Sequence, residues 1–337
     1  MANRNDVAKL AGVSPTIVSY TLNNSNYVSA EKRQAVLEAV EKLNYHPNYI
    51  ARSLKTRKTY NFAMLGNDIR NQLFAEYLYY MEQYSFANGY QITMCTARNE
   101  DNFIDILMNR QFDGIYMISN IFSSAQLNKI ASNNIPIVLS KTHDYEELDP
   151  RIIIIAADSF NNMKKATEYL IKLGHRQIVY FPPLHFSQND MNVSEYRLAG
   201  YKQAHMDYGL PVDDRLICMD TRSLDRVLEY STYILKSSAV HPTAFVAGND
   251  YLAVHVMKHL EAMSIRIPQD ISIIGLDNTL YSQITTPSLT TVDIPKKKIA
   301  GAVVDALLRS IKGHAVKNIY FEGDLIIRDS TRQLSDS

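Results

Sequence analysis

Asp6-Val7-Ala8-Lys9-Leu10-Ala11-Gly12-Val13-Ser14-Pro15-Thr16-Ile17-Val18-Ser19 carries the decisive pattern of this 337-residue chain. Asp6 to Gly12 suits a short helix closed by a glycine that can take the left-handed turn. Ser14-Pro15 opens a second helix, with serine as N-cap and proline at the first helical position, running to about Leu22. Asn23-Asn24-Ser25-Asn26 breaks it, and Ser29 caps a third helix from Ala30 to Leu43, with Val36, Val40 and Leu43 on one face. Ala8 is small where two helices cross, Gly12 makes the tight turn, and Leu10, Val13 and Val18 form the expected apolar corner of a helix-turn-helix. Pro15, Thr16, Ser19 and Tyr20 then face outward, where a recognition helix presents base-reading side chains. A generic helical hairpin is the bland alternative.

Charge agrees with the first reading. The chain is formally neutral, yet residues 1–59 carry nine bases against four acids, leaving the remainder net acidic. A basic head on a mildly acidic body suits a module that meets a polyanion. With 46% hydrophobic and 21% charged residues the composition is ordinary globular, which excludes disorder and fibrous repeats. The longest aliphatic run, Ile152 to Ala157, falls far short of the ~20 residues a membrane span requires. The N-terminus is polar with no signal-peptide core. Two cysteines, Cys95 and Cys218, cannot make a disulfide framework, and both read as buried small hydrophobes at strand positions. A soluble cytoplasmic protein, with no membrane partner, is the expectation.

From Tyr60 onward short apolar runs alternate with helix-length segments. Strands are expected at 61–65, 91–95, 115–118, 135–139, 152–156, 177–181, 243–247, 271–275 and 319–327. Helices are expected near 74–88, 102–109, 124–132, 160–173, 195–208, 223–237, 250–263 and 296–312, with Gly89 and Gly174 as C-caps. Such alternation gives α/β structure with parallel sheets, here two doubly wound lobes with a ligand crevice at the strand C-terminal ends. A closed eight-fold barrel is the competing topology.

Catalytic signatures are missing. No phosphate-binding GxxxxGK[ST], GxGxxG fingerprint, GxSxG elbow or HExxH occurs, so the chain is not expected to be an enzyme, and no cofactor or metal is implied. His255 and His259 share a helical face but lack a third ligand, and read as a solvated surface.

With these residues in place, the chain resembles the LacI/GalR family of bacterial transcription regulators. The resemblance rests on Asp6–Ser14 with Val18-Ser19 and Leu22-Asn23, on Val28-Ser29, and on Tyr45-His46-Pro47-Asn48-Tyr49-Ile50-Ala51-Arg52-Ser53-Leu54. It continues in Leu173-Gly174-His175, Tyr196-Arg197-Leu198-Ala199-Gly200-Tyr201, Asn249-Asp250, Ile273–Asp277 and Pro287–Val292. It implies a helix-turn-helix head at 1–47 and a hinge helix and linker at 48–59. It also implies two lobes of periplasmic-binding-protein type, 60–160 with 293–322 and 161–292 with 323–337. Crossings between the lobes are expected near residues 160, 292 and 322. The implied function is a transcriptional regulator, expected to be a repressor. It would bind a palindromic double-stranded operator as a homodimer and be switched by a small sugar or sugar-phosphate effector. No leucine-heptad tail precedes Ser337, which favours the dimer over a tetramer.

In this reading Thr16 and Tyr20 read bases, while Ser19, Asn23 and Ser29 position the head on phosphates. Asn48 to Lys55 is too short a helix to persist alone, so it should order on DNA with Leu54 as a minor-groove wedge. Phe74, Arg197, Asn249 and Asp277 are implied to touch effector. Several residues depart from the family pattern. Ile17 replaces a backbone-holding threonine, and Tyr20 replaces an arginine, which removes a bidentate guanine contact. Gln72-Leu73-Phe74 replaces Pro-Phe-Phe, and Asn278 replaces a second aspartate. A cytoplasmic solute-binding protein or α/β enzyme, or a regulator answering to a protein co-repressor, are the alternatives.

Overall fold

A computed structural model describes residues 2–22, 27–46, 58–67, 69, 71–98, 100–119, 121–184 and 195–334. Asn23, Asn48 and Leu54 lie outside the described residues. The chain divides into two compact units, Met1–Thr59 and Tyr60–Ser337.

The first unit holds α1 (Arg4–Leu10), α2 (Pro15–Leu22) and α3 (Ala30–Lys42). Helix α1 starts earlier than the sequence suggested because Asn3 forms a capping box with Asp6, each side chain accepting from the other's backbone N–H. Gly12 turns the chain at φ 63°, where a side chain would be strained. Ser14 and Ser29 cap the next two helices, accepting from the N–H of Ile17 and Lys32. Val7, Ala8, Val18, Val36, Ala39 and Tyr45 make the core. One expectation fails here: Leu10 is 51% exposed, and Val7 fills the corner instead. At 3.6 residues per turn Leu10 points about 100° away from the centre of the face set by Val7, Ala8 and Ala11.

The second unit contains two sheets. One runs β10-β5-β4-β3-β1-β2, from β1 (Asn61–Gly66), β2 (Gln91–Thr96), β3 (Gly114–Met117), β4 (Ile137–Leu139), β5 (Ile153–Ala157) and β10 (Ile319–Phe321). The other runs β11-β9-β8-β7-β6, from β6 (Ile178–Phe181), β7 (Ala244–Ala247), β8 (Ser272–Asp277), β9 (Thr290–Asp293) and β11 (Asp324–Ile326). All pairings are parallel except β11 with β9. Helices α4 (Gln72–Ala87), α5 (Asp101–Asn109), α6 (Ser124–Ala131) and α12 (Lys296–Ile311) belong to the first lobe. Helices α7 (Ser159–Lys172), α8 (Tyr196–Asp207), α9 (Leu224–Lys236), α10 (Asp250–Ala262) and α11 (Leu280–Ile284) belong to the second. Apolar clusters cover both faces of each sheet, as buried parallel strands require. Two open sheets replace the barrel alternative.

The chain passes between sheets after β5, after β9 and at Glu322-Gly323. The last passage corrects the single strand expected over 319–327. Gly323 lies so close to the other lobe that a Cβ there would stand 2.6 Å from the Asp293 carbonyl oxygen. Strand β9 was not expected at all. Thr290 and Thr291 disguise it, since both are fully buried and hydrogen-bonded to Ser330 and Asp250.

His175, following the C-cap turn at Gly174, is also fully buried. Its Nε2 faces the Arg332 carbonyl at 3.2 Å and its Nδ1 lies 2.9 Å from Thr243 Oγ1, so the neutral ring donates to the former and accepts from the latter. Burial pushes its pKa down to about 4. The unfolded chain therefore takes up a proton that the folded chain refuses. This contribution to stability is complete above ~6.5 and shrinks as pH falls towards 4. In His175→Gln the acid-side dependence of unfolding free energy should flatten by about 1.4 kcal/mol per pH unit, one proton's worth. Urea titrations between those pH values check this; an unchanged slope contradicts it.

Candidate DNA-reading face and effector crevice

In the head, α2 buries Val18 and Thr21 and leaves Pro15, Thr16 and Tyr20 exposed, with Tyr20 at 44%. Ser19 is half-buried on the flank, and Ile17 packs towards the core rather than outward. Ser29 is exposed while its hydroxyl caps α3. Arg4, Lys9, Lys32 and Lys42 are exposed cations of the same unit. An exposed helix N-terminus with short hydroxyls, beside cations, is chemically suited to a polyanion with readable base edges.

In the second unit a cavity of about 140 Å³ opens at the C-terminal ends of both sheets. Phe74, Arg197, Asn249 and Asp277 all line it. Phe74 is only 8% exposed and belongs to the first lobe's core, so it is both wall and packing. Asn249 caps α10, its Oδ1 accepting from the Leu252 N–H at 2.8 Å, which leaves its amide NH2 for other partners. Arg197 is fixed by Glu195, Nε to Oε1 at 2.6 Å, and donates to the Gly248 carbonyl at 2.9 Å. Asp277 does not cap local backbone. Its Oδ2 is buried with no hydrogen-bond partner, and it sits in left-handed backbone, φ 111°, followed by Asn278 at 49°. Strained backbone of this kind concentrates at functional sites.

Beneath it lies a cluster of charges that the sequence did not reveal. Lys296, buried at the first position of α12, donates from Nζ to the carbonyls of Asp277 and Asn278, and stands 3.4 Å from Glu76 and 3.6 Å from Asp293. Asp250 accepts from the Thr291 hydroxyl at 2.6 Å and the Thr279 N–H at 2.7 Å. Burial still pushes its pKa up to about 7, against those hydrogen bonds and Lys296. Burial raises Asp277 well above the carboxylate range too, with Asp250 adding to it and Arg197 and Lys296 opposing. Asn278, in the place of a second aspartate, accepts from Arg328 at 2.7 Å.

Other candidates resolve as structure. His255 and His259 are half-buried rather than solvated: His259 meets Thr232 Oγ1 at 2.8 Å, and His255 meets the Tyr251 ring edge-to-face with centroids 4.6 Å apart. Among the described residues no group of three or more His, Cys, Asp or Glu could hold a metal. Cys95 is half-buried in β2, and Cys218 is buried just beyond a short 3-10 turn rather than in a strand.

Residues 5–48 match the bacterial regulatory proteins of the lacI family, and residues 167–331 match a periplasmic binding protein-like domain. The chain is 30% identical over 343 residues to the HTH-type transcriptional repressor PurR of Actinobacillus pleuropneumoniae, covering 99% of this chain and all of that one. It belongs to the LacI family. A second relative, the HTH-type transcriptional regulator DegA of Bacillus subtilis, is 31% identical over 339 residues, 98% of either chain. In fold, this LacI-family chain matches the lac repressor dimer bound to operator and the anti-inducer ONPF. The TM-score is 0.80 at 22% identity, over 98% of this chain and 99% of that one. It also matches a LacI family regulator from Enterococcus faecium with bound ribose, TM-score 0.71 at 22% identity, over 82% of this chain and 100% of that one. As a LacI-family member it is a DNA-binding transcriptional repressor with a periplasmic-binding-protein-like core. Among the described residues no helix is long and apolar enough to cross a membrane.

Proposed function

We propose that the chain represses transcription in the cytoplasm by binding a palindromic operator as a homodimer, with a small sugar-like effector in the crevice setting its affinity. The observation that carries this reading is the pairing of an exposed hydroxyl-bearing helix start in a basic head with a crevice floored by an unpartnered, strained Asp277. Relatives named as repressors, and a fold neighbour holding ribose, support it. Domain limits follow: head 1–47, hinge 48–59, and lobes of 60–160 with 293–322 and 161–292 with 323–337. Within the crevice Arg197 and Asn249 donate, Asp277 accepts and Phe74 offers an apolar face, a set suited to hydroxyls of fixed direction. The hinge expectation, with Asn48 and Leu54 ordering on DNA, belongs to the same reading.

On the head, Thr16 and Tyr20 read bases, while Ser19, Asn23 and Ser29 set the register on the backbone. Base contacts discriminate by about 1–3 kcal/mol each, whereas phosphate contacts weaken all sequences nearly alike. Site selection from random DNA with Thr16→Ala should therefore relax one position of the preferred sequence. Ser19→Ala should keep the sequence and lower affinity. The opposite pattern contradicts the assignment.

A further inference from the structure

Asp277 and Asn162 each bring to the crevice a buried polar atom without a hydrogen-bond partner, and the two atoms are of opposite kind. One is the acceptor Oδ2 of Asp277, already described. The other is the donor Nδ2 of Asn162, on the first turn of α7. Asn162 is fully buried, and its Oδ1 is committed to the Gly323 N–H at 2.7 Å, where the chain crosses between lobes. Its NH2 group thus points its bonding capacity at whatever enters. Buried polar groups are rarely left unsatisfied, because each costs the desolvation of that group, so an unmatched donor and acceptor in one cavity point to a ligand that completes both.

The charges around the cavity narrow the ligand further. Asp277 is surrounded by Asp250, Glu76, Arg197 and Lys296. Asp293 adds another carboxylate at Lys296, and Glu195 already takes the charge of Arg197 at 2.6 Å. Two cations thus face five carboxylates, and both cations are engaged. Lys141, beside the lining residue Thr142, is likewise paired, with Asp144 at 2.8 Å. Even with a proton shared between Asp250 and Asp277 the surroundings are net negative. A phosphate brought here would meet like charge in a poorly solvated place, with no free cation among the described lining residues to receive it. The remaining lining supplies Ser140, Ser159 and Asn71 as neutral polar groups, and Leu73, Tyr77 and Ile118 as apolar surface.

Building on the crevice as the effector site, we infer that it selects a small uncharged polyol whose hydroxyls accept from Asn162 and donate to Asp277, and that it rejects the phosphorylated form of the same compound. A hydroxyl both donates and accepts, so one ligand class satisfies both atoms, while the C–H faces of a sugar suit the apolar wall.

The test is a thermal-shift and calorimetric panel on the full chain, using ribose, glucose, galactose and their monophosphates. Wild type is compared with Asn162→Asp and Asp277→Asn. Asn162→Asp keeps an oxygen that can hold Gly323 and replaces the donor with a second oxygen carrying negative charge; Asp277→Asn keeps the shape and replaces one acceptor oxygen with an NH2 donor. At least one neutral sugar should raise the melting temperature and bind at least about tenfold more tightly than its monophosphate. Either variant should lose about tenfold or more in that affinity while the unliganded protein stays folded. A monophosphate that binds more tightly than its parent sugar, with binding lost in the variants, overturns the polyol assignment and leaves the crevice intact. Binding that is unchanged in both variants places the ligand elsewhere and overturns the crevice reading itself. A panel in which no neutral member binds also overturns the inference.

Discussion

Lys296→Met should lower the stability of the second unit by about 3 kcal/mol and loosen the floor of the crevice. The lysine holds the carbonyls of both Asp277 and Asn278, two consecutive residues in left-handed backbone. Charge-assisted hydrogen bonds of this kind are worth about 1.5–3 kcal/mol, and removing one partner of a buried cluster costs about 3–5 kcal/mol. Two effects reduce the total. Glu76 and Asp293 are 25% and 40% exposed, so water compensates them in part. A cation at a helix N-terminus opposes the helix dipole, so its removal returns about 0.3–1 kcal/mol. The loss nevertheless wins. Because Lys296 lies on the first lobe's helix while its carbonyl partners lie on the second lobe's strand, the variant should also weaken effector binding through Asp277. Urea unfolding at neutral pH measures the first effect; a change under about 0.5 kcal/mol would show that the cluster is incidental.

Gly200→Ala is expected to be as damaging for a different reason. Gly200 lies inside α8, where alanine would ordinarily help by about 1 kcal/mol. Here a Cβ would overlap the Phe160 carbonyl oxygen and stand 3.1 Å from the Lys164 nitrogen, both backbone atoms of α7. Backbone cannot step aside as a side-chain end can. The helices must part, at a cost of about 1–3 kcal/mol or more. Since Arg197 rides on the first turn of α8, its place in the crevice moves with the helix. A drop in melting temperature of about 4 °C or more, at about 2–4 °C per kcal/mol, together with weakened effector binding, is the expected result. A variant as stable as wild type contradicts the close approach.

The residues differ in how far the sequence disclosed them. The head was legible because its signals are local: a serine cap, a proline at the first helical position and Gly12 in the turn. Leu10 was misplaced because the helical phase of α1 turns it away from the face of Val7, Ala8 and Ala11, so Val7 takes the corner. The alternation of strands and helices was legible wherever strands are aliphatic. It failed at β9, whose buried threonines look polar until their partners across the sheet are known. Phe74, Arg197, Asn249 and Asp277 were named by resemblance, and all four line one cavity. Asn162, Glu195, Asp250 and Lys296 were not named, and only Asp250 stood within a quoted motif. Lys296 is the clearest case. In the run Lys296-Lys297-Lys298 the last two are exposed and the first is buried, a distinction made by α4 and β8 rather than by its neighbours. Burial is a property of the assembled fold, and an isolated polar residue gives no periodic signal for it.

Sequence-specific operator binding is tested most directly by selecting sites from random double-stranded DNA with the full chain. The enriched sequences should form an inverted repeat with half-sites about one helical turn apart, as two symmetric recognition helices require. Affinity for that repeat should exceed affinity for unselected DNA by about a thousandfold or more. Enrichment of a lone half-site, or binding that depends on salt but not on sequence, would contradict the account.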